Sequence, residues 1–174
     1  METLEFEQVV VQYHEVLFRF ALSLAQSEHE ARELMQQTYY LWATKGHQLR
    51  DRTKIKTWLF TTLHREFLGG RRRQVRFPHH ELEEMEAELP TQSPPEAFLL
   101  DGSTVRAALG RIDELYRVPI SLFYLDDYSY NEIAEVLQVP LGTIKSRISR
   151  GMAMLQEQFG NSGKMATARK AENG

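Results

Sequence analysis

The sequence contains no cysteine among its 174 residues. Disulfide-stapled scaffolds, thiolate zinc sites and cysteine nucleophiles are therefore excluded. The chain also has no apolar run near the roughly 18 residues that a membrane-spanning helix requires, and no G-x-x-x-x-G-K-[ST] loop for binding a nucleotide phosphate. Its first ten residues are acidic and lack the basic and apolar regions of a signal peptide. We therefore expect a cytoplasmic protein that does not insert into a membrane.

Glycine and proline are few, at 10 and 6 residues, whereas apolar residues make up 42% and charged residues 26% of the chain. This balance is typical of a globular protein with a buried core and unlike a disordered or collagen-like chain. Apolar residues recur at steps of three and four along most of the sequence, and little of it alternates as a strand does. The sequence therefore predicts an all-α fold.

Charge is distributed unevenly along the chain, although the net charge is only −3. Residues 45–77 hold ten bases and two acids, and residues 140–174 hold six bases and two acids. Between these two segments, residues 78–101 hold seven acids and no base. Two separate basic segments favour two surfaces for a polyanion such as nucleic acid. Ordinary solvated helix faces are the alternative.

The helical pattern falls into two sets separated by a segment rich in acids and proline. Residues 1–77 predict a bundle of three helices. Residues 78–103 predict an extended linker, because prolines interrupt them and no apolar periodicity is sustained there. Residues 104–160 predict a second helical domain, and residues 161–174 predict a flexible tail. The predicted architecture is therefore two small helical domains joined by an acidic linker.

Local signals predict several helix boundaries. Ser27 and Glu30 form a capping box that opens the second helix of the N-terminal bundle. Gly69 and Gly70 interrupt the apolar pattern of the third helix, which we expect to end near them. Pro119 is expected at the start of a helix, where its missing N–H has no partner to lose.

The strongest local signal is the segment 129–150, SYNEIAEVLQVPLGTIKSRISR. Ser129 and Glu132 form a second capping box before a short helix, and Pro140 follows a tight turn and opens a longer helix with a basic outer face. This order is that of a helix-turn-helix, whose second helix enters the major groove of DNA. The residues predicted to contact duplex DNA are Thr143, Lys145, Ser146, Arg147, Ser149 and Arg150.

One residue of this motif departs from the ideal pattern. Gln138 stands where the turn requires a positive φ, which costs a residue with a Cβ on the order of 1 kcal/mol. The alternative interpretation of the whole segment is a plain helical hairpin with a solvated basic face.

A second basic surface is predicted over residues 54–68, with the arginine run 71–73 just beyond it. Its aromatic residues are interleaved with lysine and arginine, which suits a single strand whose backbone follows the charges and whose bases stack on the rings. Trp58 and Phe67 lie on the apolar stripe of their helix and are expected in the core. Phe60 and His64 lie off that stripe or at its border and are the better candidates for contact with nucleic acid.

The two surfaces occur in an order that is characteristic of one family. EARELMQQTYYLW (30–42), KIKTWLF (54–60), the acidic linker and the helix-turn-helix together resemble a bacterial sigma factor of the extracytoplasmic-function group. The resemblance covers about residues 5–159. It implies a non-enzymatic subunit of RNA polymerase that recognises promoter DNA, with residues 1–77 as sigma domain two and residues 104–160 as sigma domain four.

The resemblance also implies a role for each surface. The helix over 30–42 would dock on the clamp of core RNA polymerase, and the acidic linker would follow basic channels of that enzyme. The residues implied at the clamp are Glu33, Leu34, Gln36, Gln37 and Tyr40. The loop over 45–53 and the next helix would hold the minus-ten element of the promoter as a melted strand with a flipped base. The residues implied there are Lys45, His47, Gln48, Arg50, Arg52, Lys54, Trp58, Phe60, His64 and Arg65.

Two further expectations follow from the same resemblance. The helix-turn-helix would read the minus-thirty-five element of the promoter as duplex DNA. An anti-sigma factor that holds the chain inactive is expected as a further partner.

Two other functions are compatible with parts of the sequence. A stand-alone helix-turn-helix regulator would bind an operator without polymerase and would use the N-terminal bundle to sense a signal or dimerise. A metal-dependent enzyme would have to draw on His79, His80 and Glu81 with His64 and Glu66, but no HExxH motif or Asp/His cluster accompanies them. We therefore expect no catalytic residue, no metal site and no cofactor.

Overall fold

The computed structural model describes residues 3–74, 102–124 and 126–172, and it describes side chains over 5–72, 104–124 and 126–160. These residues form seven α-helices and no β-strand, which confirms the all-α prediction. The helices are α1 (Thr3–Ala25), α2 (Glu28–Lys45), α3 (Ile55–Gln74), α4 (Gly102–Gly110), α5 (Glu114–Tyr124), α6 (Tyr130–Leu137) and α7 (Leu141–Glu172). Apart from its last two residues, the predicted linker over 78–103 lies outside the described residues, as do His79, His80 and Glu81.

Helices α1, α2 and α3 form the N-terminal bundle. Their apolar stripes meet in a core whose largest fully buried side chains include Leu17, Phe20, Trp42, Leu59 and Leu63. The Ser27 hydroxyl accepts a hydrogen bond from the Glu30 N–H at 3.4 Å and so caps the start of α2. Short 3-10 turns at Gly46–Gln48 and Arg52–Lys54 carry the chain from α2 to α3.

Helix α3 does not end at its two glycines, as the sequence pattern predicted. It continues through Gly69 and Gly70 to Gln74. A glycine inside a helix costs only about 1 kcal/mol relative to alanine, and tertiary contacts on both sides of the pair compensate for it. Phe67 is buried before the glycines, and Arg71 after them pairs with Glu114 of α5.

The sequence predicted that α5 starts at Pro119, but the helix begins five residues earlier, at Glu114. Asp113 caps the helix, because its carboxylate Oδ1 accepts a hydrogen bond from the Leu115 N–H at 2.8 Å. Pro119 therefore lies inside the helix, where it is buried. Its ring removes one intrahelical hydrogen bond, and burial of the surrounding apolar residues outweighs that loss.

Helix α7 continues to Glu172, whereas the composition predicted a flexible tail over residues 161–174. Three alanines, two lysines, one methionine and one arginine follow residue 163, and all four residue types favour helix. The domain boundaries predicted from the sequence stay predictions.

Helices α4 to α7 form the C-terminal domain, which packs directly against the N-terminal bundle. Helix α1 lies against α5 and α3 lies against α6, so that one apolar core runs through both domains. The ring of Phe60 shows this continuity. It stacks on Phe20 of α1, with 5.0 Å between centroids, and packs at a tilt of 52° against Tyr128 from the α5–α6 loop, with 5.1 Å between centroids.

Within the C-terminal domain, α5 and α7 cross so closely that only glycine fits at the crossing point. A Cβ at Gly151 would overlap Cδ1 of Ile120 and would lie 3.0 Å from Cβ of Tyr116. The contact fixes the position of α7 relative to α5 at Gly151.

We expect Gly151→Ala to lower the free energy of unfolding by about 1–3 kcal/mol, because the added methyl group overpacks the α5–α7 crossing. Gly69→Ala is the matched control. No described atom lies within 4 Å of a Cβ built there in α3, so this change should raise the free energy of unfolding by about 0.5–1 kcal/mol. Urea denaturation followed by circular dichroism measures both. A Gly151→Ala variant as stable as the parent chain would show that the two helices separate there at no cost.

Candidate nucleic-acid interface

The helix-turn-helix predicted from the sequence is present in α6 and α7. The Ser129 N–H donates to the Glu132 carboxylate at 2.8 Å, and the Glu132 N–H donates to the Ser129 hydroxyl at 3.3 Å. Both halves of the predicted capping box are therefore formed. The hydrogen bonds from Ser129 lower the pKa of the Glu132 carboxyl, which keeps the cap charged at neutral pH.

The turn between α6 and α7 has the left-handed backbone that the sequence predicted. Gln138 has φ 56° and ψ 46°, and its N–H donates to the carbonyl of Ala134. The Val139 N–H donates to the same carbonyl at 3.2 Å. The Pro140 carbonyl then accepts from the Ile144 N–H at 3.2 Å, which starts α7. Pro140 thus stands one residue before the helix, close to the position expected.

The outer face of α7 is less exposed than the sequence predicted. Lys145, Arg147, Ser149 and Arg150 are half-buried, whereas Thr143 and Ser146 are only 4% and 2% exposed. At 100° per residue, Ser146 lies opposite the core stripe of Ile144 and Ile148. The expectation that Ser146 faces solvent is therefore wrong for this conformation, in which the outer face of α7 is itself covered.

The loop between α2 and α3 exposes most of the residues predicted to contact the minus-ten element. The exposed members are Lys45, His47, Gln48, Arg50, Arg52 and Lys54. Asp51 stabilises the loop, because its Oδ1 accepts hydrogen bonds from the Thr53 N–H at 3.0 Å and the Thr53 hydroxyl at 2.6 Å. Leu49 packs against the core and anchors the loop from below.

Two tryptophans lie at the base of this loop. Trp58 is half-buried and meets the fully buried Trp42 edge-to-face, with ring centroids 5.2 Å apart. The Arg52 guanidinium lies 6.0 Å from the Trp42 ring centroid and pairs with Glu5 of α1 at 2.8 Å. The structure therefore brings Trp58 and the basic loop together, as the sequence predicted.

Phe60 is not on the surface, and its prediction as a contact for nucleic acid is wrong for this conformation. The side chain is fully buried, because Tyr128 of the C-terminal domain covers the face of α3 that the periodicity assigned to solvent. His64, one turn later, is half-buried, and burial together with the charge of Arg147 lowers its pKa to about 4. It is therefore neutral at pH 7. Arg65 is exposed.

The residues implied at the polymerase clamp converge on one cleft of about 740 Å³ between α2 and α3. All five of them line it: Glu33, Leu34, Gln36, Gln37 and Tyr40. Tyr40 is 62% exposed, which is unusual for a large aromatic side chain. Helix α3 supplies the opposite wall through Glu66, Phe67 and Arg71, which the sequence did not assign to this site. Their place follows only from the packing of α3 on α2.

Comparison with known proteins matches two separate segments of the chain to family models. The family models for sigma-70 region 2 and sigma-70 region 4 match residues 9–77 and 103–155. The chain is 30% identical over 155 residues to the ECF RNA polymerase sigma factor SigE of Mycolicibacterium smegmatis. It is 24% identical over 157 residues to the RNA polymerase sigma factor YlaC of Bacillus subtilis. The chain belongs to the extracytoplasmic-function (ECF) group of the sigma-70 family. Proteins of this family direct promoter-specific transcription.

The alignments extend over nearly the whole of this ECF chain. The match covers 87% of the chain and 60% of SigE, and 88% of the chain and 91% of YlaC. A solved structure with the same fold is the sigma factor RpoE from Bartonella quintana, crystallised with the anti-sigma factor NepR. It superposes with a TM-score of 0.68 at 26% identity and covers 90% of this chain and 97% of that chain.

None of the described helices is long and apolar enough to cross a membrane. No group of three or more histidine, aspartate and glutamate side chains in the described part of the chain is arranged to hold a metal ion.

We expect Gln138→Gly to raise the free energy of unfolding by about 0.5 kcal/mol. Relief of left-handed strain, about 1–2 kcal/mol for a residue with a Cβ, exceeds the added entropy of the unfolded chain, about 0.4–1 kcal/mol. Gln12→Gly, the same change at an exposed position inside α1, should instead lower the free energy of unfolding. Thermal and urea denaturation measure both variants. Destabilisation by Gln138→Gly would show that the Gln138 side chain makes a contact worth more than the strain.

Proposed function

We propose that this chain binds core RNA polymerase and directs it to promoters, with the N-terminal bundle contacting the polymerase clamp and the minus-ten element, and α7 contacting the minus-thirty-five element. Two features that occur together in this ECF chain support the proposal. All five implied clamp residues line one cleft, and the other domain holds a helix-turn-helix whose first helix has a complete capping box.

The cleft between α2 and α3 has the composition of a protein-binding site. Leu34 and Phe67 supply apolar surface, while Glu33, Gln37 and Arg71 supply polar groups around it. Tyr40 stands at the cleft with more than half of its side chain in solvent. Tyrosine is enriched among the few residues that carry most of the binding energy at protein interfaces.

The loop between α2 and α3 suits a melted strand better than a duplex. Its exposed cations can follow a phosphate backbone, and Trp58 at its base offers an aromatic surface on which a base can stack. Holding a flipped base offsets part of the unstacking energy that promoter opening costs. Because the sequence has no nucleotide-phosphate loop, opening would draw on binding energy alone.

Helix α7 would read the minus-thirty-five element as duplex DNA. Arginine donates two hydrogen bonds to guanine in the major groove, and lysine contacts guanine or phosphate. The predicted duplex contacts over residues 143–150 include three cations, Lys145, Arg147 and Arg150. A duplex reader and a single-strand reader on one chain raise each other's effective concentration at a promoter.

The proposed partners are core RNA polymerase, promoter DNA and an anti-sigma factor, so the chain would work in the cytoplasm, where the polymerase is. The anti-sigma partner is proposed by analogy with RpoE, which was crystallised with NepR. A stand-alone regulator that binds DNA without polymerase is the alternative.

We expect Tyr40→Ala to weaken binding to core polymerase about tenfold, because it removes an exposed aromatic side chain from the cleft. Val11→Ala is the matched control, since Val11 is a large apolar residue that is 84% exposed on α1 and does not line the cleft. Titration of sigma-free bacterial core with fluorescently labelled protein measures both affinities. Equal affinities of the parent chain and Tyr40→Ala for core polymerase would show that the clamp contact lies on another surface.

We expect Arg147→Ala to weaken recognition of the upstream duplex by about 1–3 kcal/mol without changing the affinity for core polymerase. The measurement is run-off transcription by reconstituted holoenzyme over fragmented bacterial genomic DNA, followed by titration on the promoters that it reveals. Arg106→Ala, at an exposed position of α4, is the control. An equal loss of polymerase affinity in Arg147→Ala would mean that α7 contacts the enzyme. Failure of the parent chain to co-elute with core, with tight duplex binding alone, would favour the stand-alone regulator.

A further inference from the structure

We propose that the groove between α1 and α2 binds a small planar aromatic acid, and that this ligand competes with core RNA polymerase for Tyr40. The α1–α2 groove has a volume of about 580 Å³, within the range of about 300–1,000 Å³ that is typical of sites for small organic molecules. The competition rests on the proposed function, because that proposal places Tyr40 at the polymerase clamp. Binding of the ligand itself does not depend on the proposed function.

The walls of the α1–α2 groove are mainly aromatic. Phe6, His14 and Phe18 line it from α1, and Tyr39 and Tyr40 line it from α2. The ring planes of Phe18 and Tyr39 lie within 8° and 9° of the plane of His14, with 6.4 Å between ring centroids in each pair. Nearly parallel rings give the groove flat walls, on which a planar aromatic body can stack.

The groove is apolar at its floor and polar at its rim. Met35 at the floor is only 3% exposed, and the hydroxyl of Tyr39 is buried. Burial raises the pKa of Tyr39 to about 12, so the floor disfavours a charged group. Arg32 and Gln36 at the rim are exposed to solvent. A ligand would therefore place an apolar body against the floor and a charged group at the rim.

The charge at the rim favours an anionic ligand. The Arg32 guanidinium is charged at any working pH, and none of the described residues that line the groove is an aspartate or glutamate. Arg32 pairs with Glu28, one turn earlier on α2. Both side chains of that pair are exposed, so the pair contributes little. A guanidinium also has further N–H donors for a carboxylate or sulfonate of the ligand.

Two side chains connect the α1–α2 groove to the proposed clamp site. Gln36 and Tyr40 lie one turn apart on α2, and both line the groove as well as the cleft between α2 and α3. A ligand that stacks on Tyr40 would occupy part of the surface that the proposed clamp contact requires. Ligand and polymerase would therefore exclude each other, and the occupied chain would be withheld from the enzyme.

The probe for the binding test is anilinonaphthalene sulfonate (ANS), which has an aromatic body and one anionic group. We expect one ANS molecule to bind saturably to each full-length, folded chain. Arg32→Gln should weaken ANS binding about fivefold, the upper end of what an ion pair at an exposed site contributes. Arg106→Gln, at an exposed position of α4, is the matched control and should leave the affinity unchanged. Fluorescence titration measures all three affinities.

Two further comparisons identify the charge preference and the place of binding. Phenylnaphthylamine has the same rings without the sulfonate, so it should bind the parent chain and Arg32→Gln equally. Ala43 lines the groove at an exposed position, and Ala43→Phe should weaken both probes at least about tenfold by filling the groove. Ala107→Phe, at an exposed position of α4, is its control. Circular dichroism checks that every variant keeps its helix content.

Competition is measured by titrating sigma-free bacterial core with the labelled chain in the presence of ANS. At about ten times its Kd, a ligand that excludes polymerase weakens the apparent affinity for core about tenfold. The same ANS concentration should weaken core binding by Arg32→Gln only about threefold, because that variant binds ANS about fivefold less tightly. Any effect of ANS on the core enzyme itself is equal in the two titrations and cancels.

The possible outcomes separate the ligand site from the proposed function. Absence of saturable ANS binding, or ANS binding that Ala43→Phe leaves unchanged, would overturn the site. Equal ANS affinities of the parent chain and Arg32→Gln would overturn the anionic ligand and favour an apolar segment of a protein partner. Saturable ANS binding with unchanged affinity for core would overturn the competition alone. A parent chain that binds ANS but never binds core would overturn the proposed function and leave the ligand site standing.

Discussion

A single buried guanidinium organises the way in which the two domains meet. Arg117 satisfies the carbonyls of Ser23 and Leu24, which end α1 and have no intrahelical partner, and the carbonyl of Ile112 before α5. A buried polar group left without a hydrogen bond costs about 1–3 kcal/mol. The end of α1 is therefore stable in its buried position only while α5 lies across it. The same arrangement of the domains includes the packing of α6 on α3 and the contacts of Phe60, Lys54 and Lys56 with the C-terminal domain.

The parts of the fold that sequence could predict are those set by neighbouring residues. The capping box of Ser129 and Glu132 and the left-handed Gln138 depend on groups within a few residues, and both are present in the structure. The start of α5 shows the limit. Proline signalled a helix start at Pro119, but Asp113 supplies the cap and the surrounding burial tolerates the proline inside. This compensation comes from tertiary packing, which the helical periodicity of the sequence does not reveal.

In the candidate site, too, features set by neighbouring residues could be predicted and features set by tertiary packing could not. The exposure of the basic loop and the shared surface of the α2 residues could be predicted, because these residues are consecutive or lie one helical turn apart, while their roles stay predictions. Phe60 and Ser146 were predicted on surfaces and are buried, and Phe60 packs against both Phe20 of α1 and Tyr128 of the C-terminal domain. Phe67 and Arg71 line the cleft only because α3 packs beside α2. Their contribution could not be predicted without that packing.

Arg71 belongs to two contacts at once. It lines the cleft between α2 and α3, and it pairs with Glu114 of the C-terminal domain, whose pKa burial already raises. A ligand in the cleft that took this guanidinium for itself would leave Glu114 without its cation and would weaken the contact between the domains. By thermodynamic reciprocity, separation of the domains would then strengthen binding of that ligand by the same factor. One side chain thus suffices to make occupancy of the cleft and release of the C-terminal domain mutually reinforcing.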